Sequence, residues 1–153
     1  MDITQFFDWF FSTNDYDWGA LVLRLALAIM ILPHGFQKIF GWFGGHGFKG
    51  TMGYMTGTAG LPSIIAFLVI IGEPLGGLML VLGVATRLGA LWVGAVMLGA
   101  LLTVHIKNGF FMNWHGTNKG EGYEFFILAI GIAIAIILNG GGALSIDSLI
   151  GGF

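Results

Sequence analysis

Cysteine is absent from this sequence of 153 residues. Its absence excludes disulfide exchange, iron–sulfur clusters held by thiolates and a Cys-x-x-Cys redox relay. Charged residues are also scarce, at 9% of the chain, whereas a soluble domain carries roughly a quarter. A net charge of −2 gives no reason to expect a nucleic-acid partner. Because hydrophobic residues reach 56%, the sequence predicts a single transmembrane domain, residues 1–153, embedded in the lipid bilayer.

The first twelve residues are aromatic and acidic, and they lack the basic region of a secretory signal. Apolar side chains recur at helical spacing, while Asp2, Gln5 and Asp8 fall elsewhere around the helix. This pattern predicts a short helix over residues 2–12 that lies in the membrane interface, with Trp9 as an anchor. The apolar positions are Ile3, Phe6, Phe7, Phe10 and Phe11.

Four long apolar segments follow, at residues 18–43, 61–83, 87–107 and 123–139. They predict an all-α protein, a four-helix bundle that crosses the cell membrane several times, because a hydrocarbon core of ~30 Å needs helices of about this length.

Long loops follow the first and third segments. We call the side of the membrane that these loops face side B, and the side of the two termini side A. Lys49 and Lys119 lie in the loops, so the positive-inside rule predicts that side B is cytoplasmic.

Three ionisable residues lie where lipid would be expected. His34 and Lys38 are four residues apart and would share one face of the first helix. Glu73 lies near the middle of the second segment, where a carboxylate must be paired or protonated. Pro74 follows it and disfavours regular helix at Glu73. Because polar groups inside a membrane are costly, we predict that Glu73, His34 and Lys38 are catalytic, with Glu73 paired to Lys38 or His34.

Four more polar residues are predicted to bind a ligand in the side-B half of the bundle. Gln37 lies beside Lys38, His105 and Asn108 lie at the end of the third segment, and Glu124 begins the fourth. Lipid would penalise such groups on the outside of a bundle, so we expect them to line one buried polar pocket.

Two expectations concern the rest of the bundle. Arg24, near the start of the first segment, is expected to reach the lipid head groups or to pair with Asp15 or Asp17. The small residues Ala95 and Gly99 could bring a second copy of the chain close to the third helix, so a homo-oligomer is expected.

Short motifs recur along the chain in a distinctive order. They are His34-Gly-Phe-Gln-Lys38, Gly72-Glu-Pro-Leu-Gly-Gly77, Leu82-Gly-Val-Ala-Thr-Arg87, Tyr123-Glu124, and a glycine run that precedes Ser145-Ile-Asp147. In this order and spacing the sequence resembles the DoxX family of small integral membrane proteins, over residues from about 20 to 148. The predicted interfacial helix lies outside the resemblance.

The resemblance implies a redox setting, since the family is similar to the DoxD-type subunits of quinone-linked sulfur oxidation. We therefore expect a quinone-interacting subunit of a membrane-associated oxidoreductase system. A quinone head group needs hydrogen-bond donors, nearby proton-exchanging groups and an apolar path for its tail. The chain carries no evident electron carrier, so a redox partner protein is implied as well.

Other interpretations of the same residues remain open. His34 and His105 could ligate a b-type haem, and together with Glu73 and Glu124 they could bind a divalent metal, although the Glu-x-x-His pair of di-iron bundles is absent. A small-solute transporter or a structural membrane adaptor would use the cluster for proton coupling or helix packing. We predict no covalently bound cofactor and no metal site.

Overall fold

The structure, a computed structural model, describes residues 2–151, which form seven α-helices and no β-strand. Short 3₁₀ segments cover Trp42–Gly44 and His105–Asn108, and a π-helical turn covers Tyr54–Thr58. The α-helices are α1 (Ile3–Phe11), α2 (Trp18–Phe40), α3 (Gly47–Gly53), α4 (Ser63–Leu82), α5 (Thr86–Thr103), α6 (Glu124–Asn139) and α7 (Ile146–Ile150).

Three of these helices, α2, α4 and α5, are long and apolar enough to cross a membrane. The helix α6 is also apolar but has only 16 residues. The prediction of an all-helical, multi-pass membrane protein is therefore confirmed, and the fourth crossing stays a prediction.

The helix α1 begins with a capping box, which satisfies two amides that have no partner inside the helix. The Gln5 amide donates to Asp2 Oδ1 at 2.8 Å, and the Asp2 amide donates to the Gln5 side chain at 3.0 Å. None of its residues is buried, and large aromatic side chains such as Phe7 and Trp9 stay exposed. The helix expected at residues 2–12 is therefore present at Ile3–Phe11, and its location in the membrane interface stays a prediction.

The ends of α2 and α5 differ from the predicted bounds. Asp17 caps α2 by accepting from the Ala20 amide at 2.9 Å, and Gly41, at φ +75°, ends the helix before the predicted residue 43. Glycine adopts this left-handed conformation without a steric penalty, which is why it commonly ends helices. The helix α5 ends at Thr103, so His105 and Asn108 lie in a 3₁₀ turn beyond it.

The four longest helices pack around a shared apolar core. The helix α2 contacts α4 and α6, and α5 contacts the same two helices from the other side. On side B, the short helix α3 folds back against α2 and α4. The core is made of small and branched side chains, including Leu27, Ala28, Ile31, Leu80, Ala90, Val93, Ala129, Ala133 and Ile136.

Glycines let α4 and α5 touch at the backbone. A Cβ atom added to Gly76 would lie 3.2 Å from the carbonyl oxygen of Gly89, and one added to Gly89 would lie equally close to the carbonyl of Gly76. A Cβ at Gly72 would overlap the indole of Trp92. The Gly72-x-x-x-Gly76 pattern therefore serves helix packing, in the way that small residues do in membranes.

Arg24 is almost completely buried on side A, with 1% of its surface exposed. One terminal nitrogen donates to the carbonyls of Leu80 and Val81, both at 2.9 Å, and the other donates to those of Ala143 and Leu144, both at 3.1 Å. The last carbonyls of a helix have no intrahelical donor, and the guanidinium supplies one for α4. The expectation that Arg24 reaches the head groups or pairs with a nearby aspartate is therefore wrong.

Arg87, at the start of α5, makes a second buried junction on side A. Its Nε donates to the Ile137 carbonyl of α6 at 2.9 Å, and its Nη1 donates to the carbonyls of Phe10 and Ser12 at 3.0 and 2.6 Å. The guanidinium carbon also lies 4.9 Å from the ring centre of Trp9. One side chain thus connects α1, α5 and α6.

Asp147 of α7 caps the turn between α4 and α5. Its two carboxylate oxygens accept from the amides of Ala85 and Thr86 at 2.7 and 2.8 Å, and its own amide donates to the Gly83 carbonyl at 2.8 Å. An acidic group at a helix start is favourable because the first amides lack partners there. The C-terminal segment is thereby fastened to the core of side A.

Candidate functional site

An ion pair joins α2 and α4 in the interior of the helix bundle. Lys38 Nζ lies 2.6 Å from Glu73 Oε2, and this is the only salt bridge within residues 2–151. The Glu73 side chain is 3% exposed and the Lys38 side chain 23%. Of the two partners predicted for Glu73, Lys38 and His34, the structure shows Lys38, with the Glu73 carboxylate enclosed and the Lys38 amine partly exposed.

A close contact between the two helices brings the pair together. A Cβ atom at Gly35 would lie 2.7 Å from both the Cδ and the backbone nitrogen of Pro74. Lys38 follows Gly35 by about one turn, and Glu73 immediately precedes Pro74, so the contact holds the two charged groups face to face. Pro74 also lacks an amide hydrogen, which leaves the Ile70 carbonyl without its usual helical donor.

His34 lies one turn before Lys38 on α2 and is exposed. It is near enough to interact electrostatically with the Glu73 carboxylate. Within residues 2–151 its ring makes no hydrogen bond. The structure therefore puts an exposed imidazole one turn from Lys38, open to molecules that approach α2 from the side.

Gln37 serves the turn after α2. Its Nε2 donates to the Phe43 carbonyl at 3.2 Å, which helps to reverse the chain beyond Gly41. A Cβ atom at Gly45 would overlap the Gln37 backbone, so the returning chain runs directly against this part of α2. The predicted role of Gln37 as a ligand-binding residue stays a prediction.

The other predicted ligand-binding residues contact the loop between α5 and α6. His105 Nδ1 and Asn108 Nδ2 each lie 2.9 Å from the Glu121 carbonyl, and Glu124 Oε1 accepts from the Met112 amide at 2.8 Å. None of the three hydrogen-bonds to the ion pair. The structure therefore places His105, Asn108 and Glu124 against the loop and not against the ion pair, and their predicted role in ligand binding stays a prediction.

Metal or haem ligation gains no support from the arrangement of donors. Within the described part of the chain, no three His, Asp or Glu side chains lie close enough to hold a metal ion. The His105 ring packs against Phe126, with 4.2 Å between ring centres and 32° between ring planes, while His34 lies exposed on α2.

Two cavities lie beside these elements. One, of about 320 Å³, is on side B in the loop before α6, and its lining residues are Phe111, Met112, Asn113, Trp114, His115, Thr117 and Asn118. The other, of about 120 Å³, is an apolar cleft between α2 and α6. We call it the α2–α6 cleft; its lining residues are Ala26, Leu27, Met30, Phe125, Leu128, Ala129 and Ile132.

These features define a multi-pass integral membrane protein with one buried ion pair between two of its helices. The chain belongs to the DoxX family, whose family model matches residues 19–106.

Two curated relatives cover nearly the whole chain. It is 29% identical to "Putative oxidoreductase CatD" of Bacillus subtilis (strain 168) over 90% of either protein. It is 30% identical to "Inner membrane protein YqjF" of Escherichia coli (strain K12), over 88% of this chain and 93% of the relative. No solved structure matches the chain.

Proposed function

We propose that the protein is a quinone-interacting subunit of a membrane-associated oxidoreductase system, and that Lys38, Glu73 and His34 receive the quinone head group. The observation that carries this proposal is the Lys38–Glu73 ion pair, enclosed between α2 and α4 and bordered by the exposed His34. Charged groups in a membrane interior are kept only at a considerable energetic cost, which favours a functional role for them.

The three side chains have the chemistry that a quinone carbonyl requires. The Lys38 ammonium carries three donor hydrogens, of which the Glu73 carboxylate takes one, and the imidazole of His34 can donate to or accept from a ligand. Reduction of a quinone to a quinol adds two electrons and two protons. His34 and Glu73 would exchange the protons, and a redox partner protein would supply the electrons.

The name of one relative agrees with this proposal. "Putative oxidoreductase CatD" carries a redox designation, and it aligns with this chain over 90% of its length. No substrate or electron donor follows from that name; the quinone comes from the family resemblance, and the ion pair with His34 offers chemistry that suits its head group.

The proposal is tested by what co-purifies with the protein from membranes in a mild detergent. We expect an organic extract of the wild type to contain a quinone, identified by mass spectrometry, and extracts of His34→Ala and Glu73→Gln to contain much less. His115→Ala and Glu121→Gln change the same residue types in the exposed loop and should keep the quinone. Quinone levels that are equal in all five proteins, or absent from the wild type, would contradict the proposal. In that case an adaptor or transporter role becomes the better interpretation.

We further propose that α6 crosses the membrane with α2, α4 and α5 and completes a four-helix transmembrane bundle. It packs against α2 and α5, and its 16 residues span about 24 Å, somewhat less than the ~30 Å of a typical hydrocarbon core. Both termini would then lie on side A. A second copy of the chain could dock on α5, where Ala95 and Gly99 are exposed.

The absence of native cysteine makes the topology directly measurable. Single variants Tyr16→Cys and Leu149→Cys should react with a membrane-impermeant maleimide from one side of a vesicle, and Thr58→Cys and Thr117→Cys from the other. All four positions are exposed. Labelling of Tyr16→Cys and Leu149→Cys from opposite sides would mean that α6 does not cross.

A further inference from the structure

The α2–α6 cleft leads toward the side chains of the proposed quinone site. Met30 lines the cleft, and His34 is the residue one turn further along the same stripe of α2, about 6 Å along the helix axis toward side B. Phe125, in the first turn of α6, lines the cleft at the same side-B end. The α2–α6 cleft and the imidazole of His34 therefore lie one after the other along α2.

The cleft opens toward the lipid. Ala26 and Leu128, on its two walls, are exposed, Leu128 with 64% of its surface, whereas Leu27 and Ala129 at its floor are buried. All seven lining residues are apolar, so the cleft suits a hydrocarbon chain. In a bilayer such a chain could slide in sideways without leaving the hydrocarbon core.

We infer that the α2–α6 cleft holds the isoprenoid tail of the quinone, an inference that rests on the proposed function. The tail enters from the lipid between α2 and α6 and extends toward the bilayer centre, while the head group lies at His34 and Lys38. His34 thus stands where head and tail join.

The ion pair, whose Lys38 lies about two turns beyond Met30 on α2, favours a quinone over the acyl chain of a phospholipid. Glu73 already neutralises Lys38, and the carboxylate would repel a phosphate brought to the same place. An uncharged quinone carbonyl can accept a hydrogen bond from Lys38 without meeting that repulsion. The polar end of the site is therefore matched to a neutral head group.

The test compares two ligands with the same head group. Binding of 2,3-dimethoxy-5-methylbenzoquinone, which has no tail, and of decylubiquinone is measured by titration on the full-length protein in detergent. Two variants fill the cleft from its lipid side, Ala26→Phe and Leu128→Trp. The control Leu78→Trp adds aromatic bulk to an exposed position on α4, outside the cleft.

We expect the wild type and Leu78→Trp to bind decylubiquinone at least about tenfold more tightly than the tailless quinone, since burial of two methylene groups already accounts for such a factor. Filling the cleft should remove most of this preference and leave the affinity for the tailless quinone unchanged. Because both cleft positions face lipid, neither variant disturbs the packed core.

The outcomes separate the two proposals. If the wild type binds the tailless quinone and the cleft variants keep the same tail preference as Leu78→Trp, the location of the tail is wrong while the quinone site stands. If the variants instead lose a co-purifying phospholipid with no change in tail preference, an acyl chain occupies the cleft and the inference fails. If neither quinone binds to the wild type, the proposed function is wrong, and the inference that rests on it is wrong as well.

Discussion

Gly35 of α2 lies directly against Pro74 of α4, so close that a Cβ atom at residue 35 would fall 2.7 Å from the proline nitrogen. The two residues belong to separate sequence motifs, and each is the near neighbour of one member of the ion pair. The contact therefore determines how far apart the two helices run where Lys38 and Glu73 meet.

Replacement of Gly35 by alanine should destabilise the protein. In an ordinary helix, glycine to alanine is favourable by roughly 1 kcal/mol, but here the new methyl group meets backbone atoms of Pro74, and overpacking typically costs about 1–3 kcal/mol. Gly99→Ala is the matched control, because nothing lies within 4 Å of the added atom. Thermal unfolding in detergent should give a lower Tm for Gly35→Ala and an equal or higher Tm for Gly99→Ala. Equal midpoints for the two variants would contradict the close contact.

The two members of the ion pair should respond unequally to removal of their partner. Lys38→Met leaves the Glu73 carboxylate, which is 3% exposed, without its partner. Loss of one partner from a buried pair lowers the free energy of unfolding by about 3–5 kcal/mol. Glu73→Gln should lower the free energy of unfolding by less, because the Lys38 side chain is 23% exposed and its amine can turn toward more polar surroundings. The double variant should be more stable than the sum of the single effects implies, by about 0.5–3 kcal/mol. Unfolding free energies that simply add would mean that the pair does not interact.

Arg24 should be among the least replaceable residues of the chain. Arg24→Met leaves four carbonyls on side A without their donor, and each unsatisfied buried group costs about 1–3 kcal/mol, so we expect a loss of at least about 3 kcal/mol or failure to fold. The stability of Arg24→Lys should lie between those of the wild type and Arg24→Met, because an ammonium cannot reproduce the planar fork of donors. Lys49→Met removes a cation from an exposed position and is expected to be neutral. Expression level and Tm in detergent provide the measurement, and similar values for Arg24→Met and Lys49→Met would refute the role of Arg24.

Asp147→Ala should loosen the start of α5. The substitution removes the acceptor of two helix-start amides, and loss of an N-terminal cap typically costs about 0.5–2 kcal/mol. Asp147→Asn keeps one acceptor oxygen and should be affected less. Hydrogen exchange at Ala85 and Thr86 is the sensitive measurement, and it should rise in Asp147→Ala but stay unchanged in Asp15→Ala, which alters an exposed aspartate. Unchanged exchange in both variants would rule out capping by Asp147.

Much of the candidate site could be predicted from local sequence. His34 and Lys38 had to share a helix face because they are four residues apart, and Glu73 needed a partner because it lies in the middle of an apolar helix. These two constraints left Lys38 and His34 as possible partners of Glu73, and the packing of α2 on α4 selected Lys38. The same reasoning did not extend to His105, Asn108 and Glu124. Their polar atoms are used by the loop before α6, and the path of a loop of glycine and polar residues is not encoded in a periodic pattern.

The amino-acid sequence by itself determined that this is a helical membrane protein, because apolar stretches of the length of a bilayer can satisfy their backbone hydrogen bonds only as helices. It also determined the family, through short motifs in a characteristic order. Only the tertiary structure decided what the arginines do. Arg24 donates to carbonyls that are 56 to 120 positions away in the chain, and backbone carbonyls carry no sequence signature. Periodicity reports which face of a helix is apolar, whereas packing selects the neighbour that this face and its few charged residues will meet.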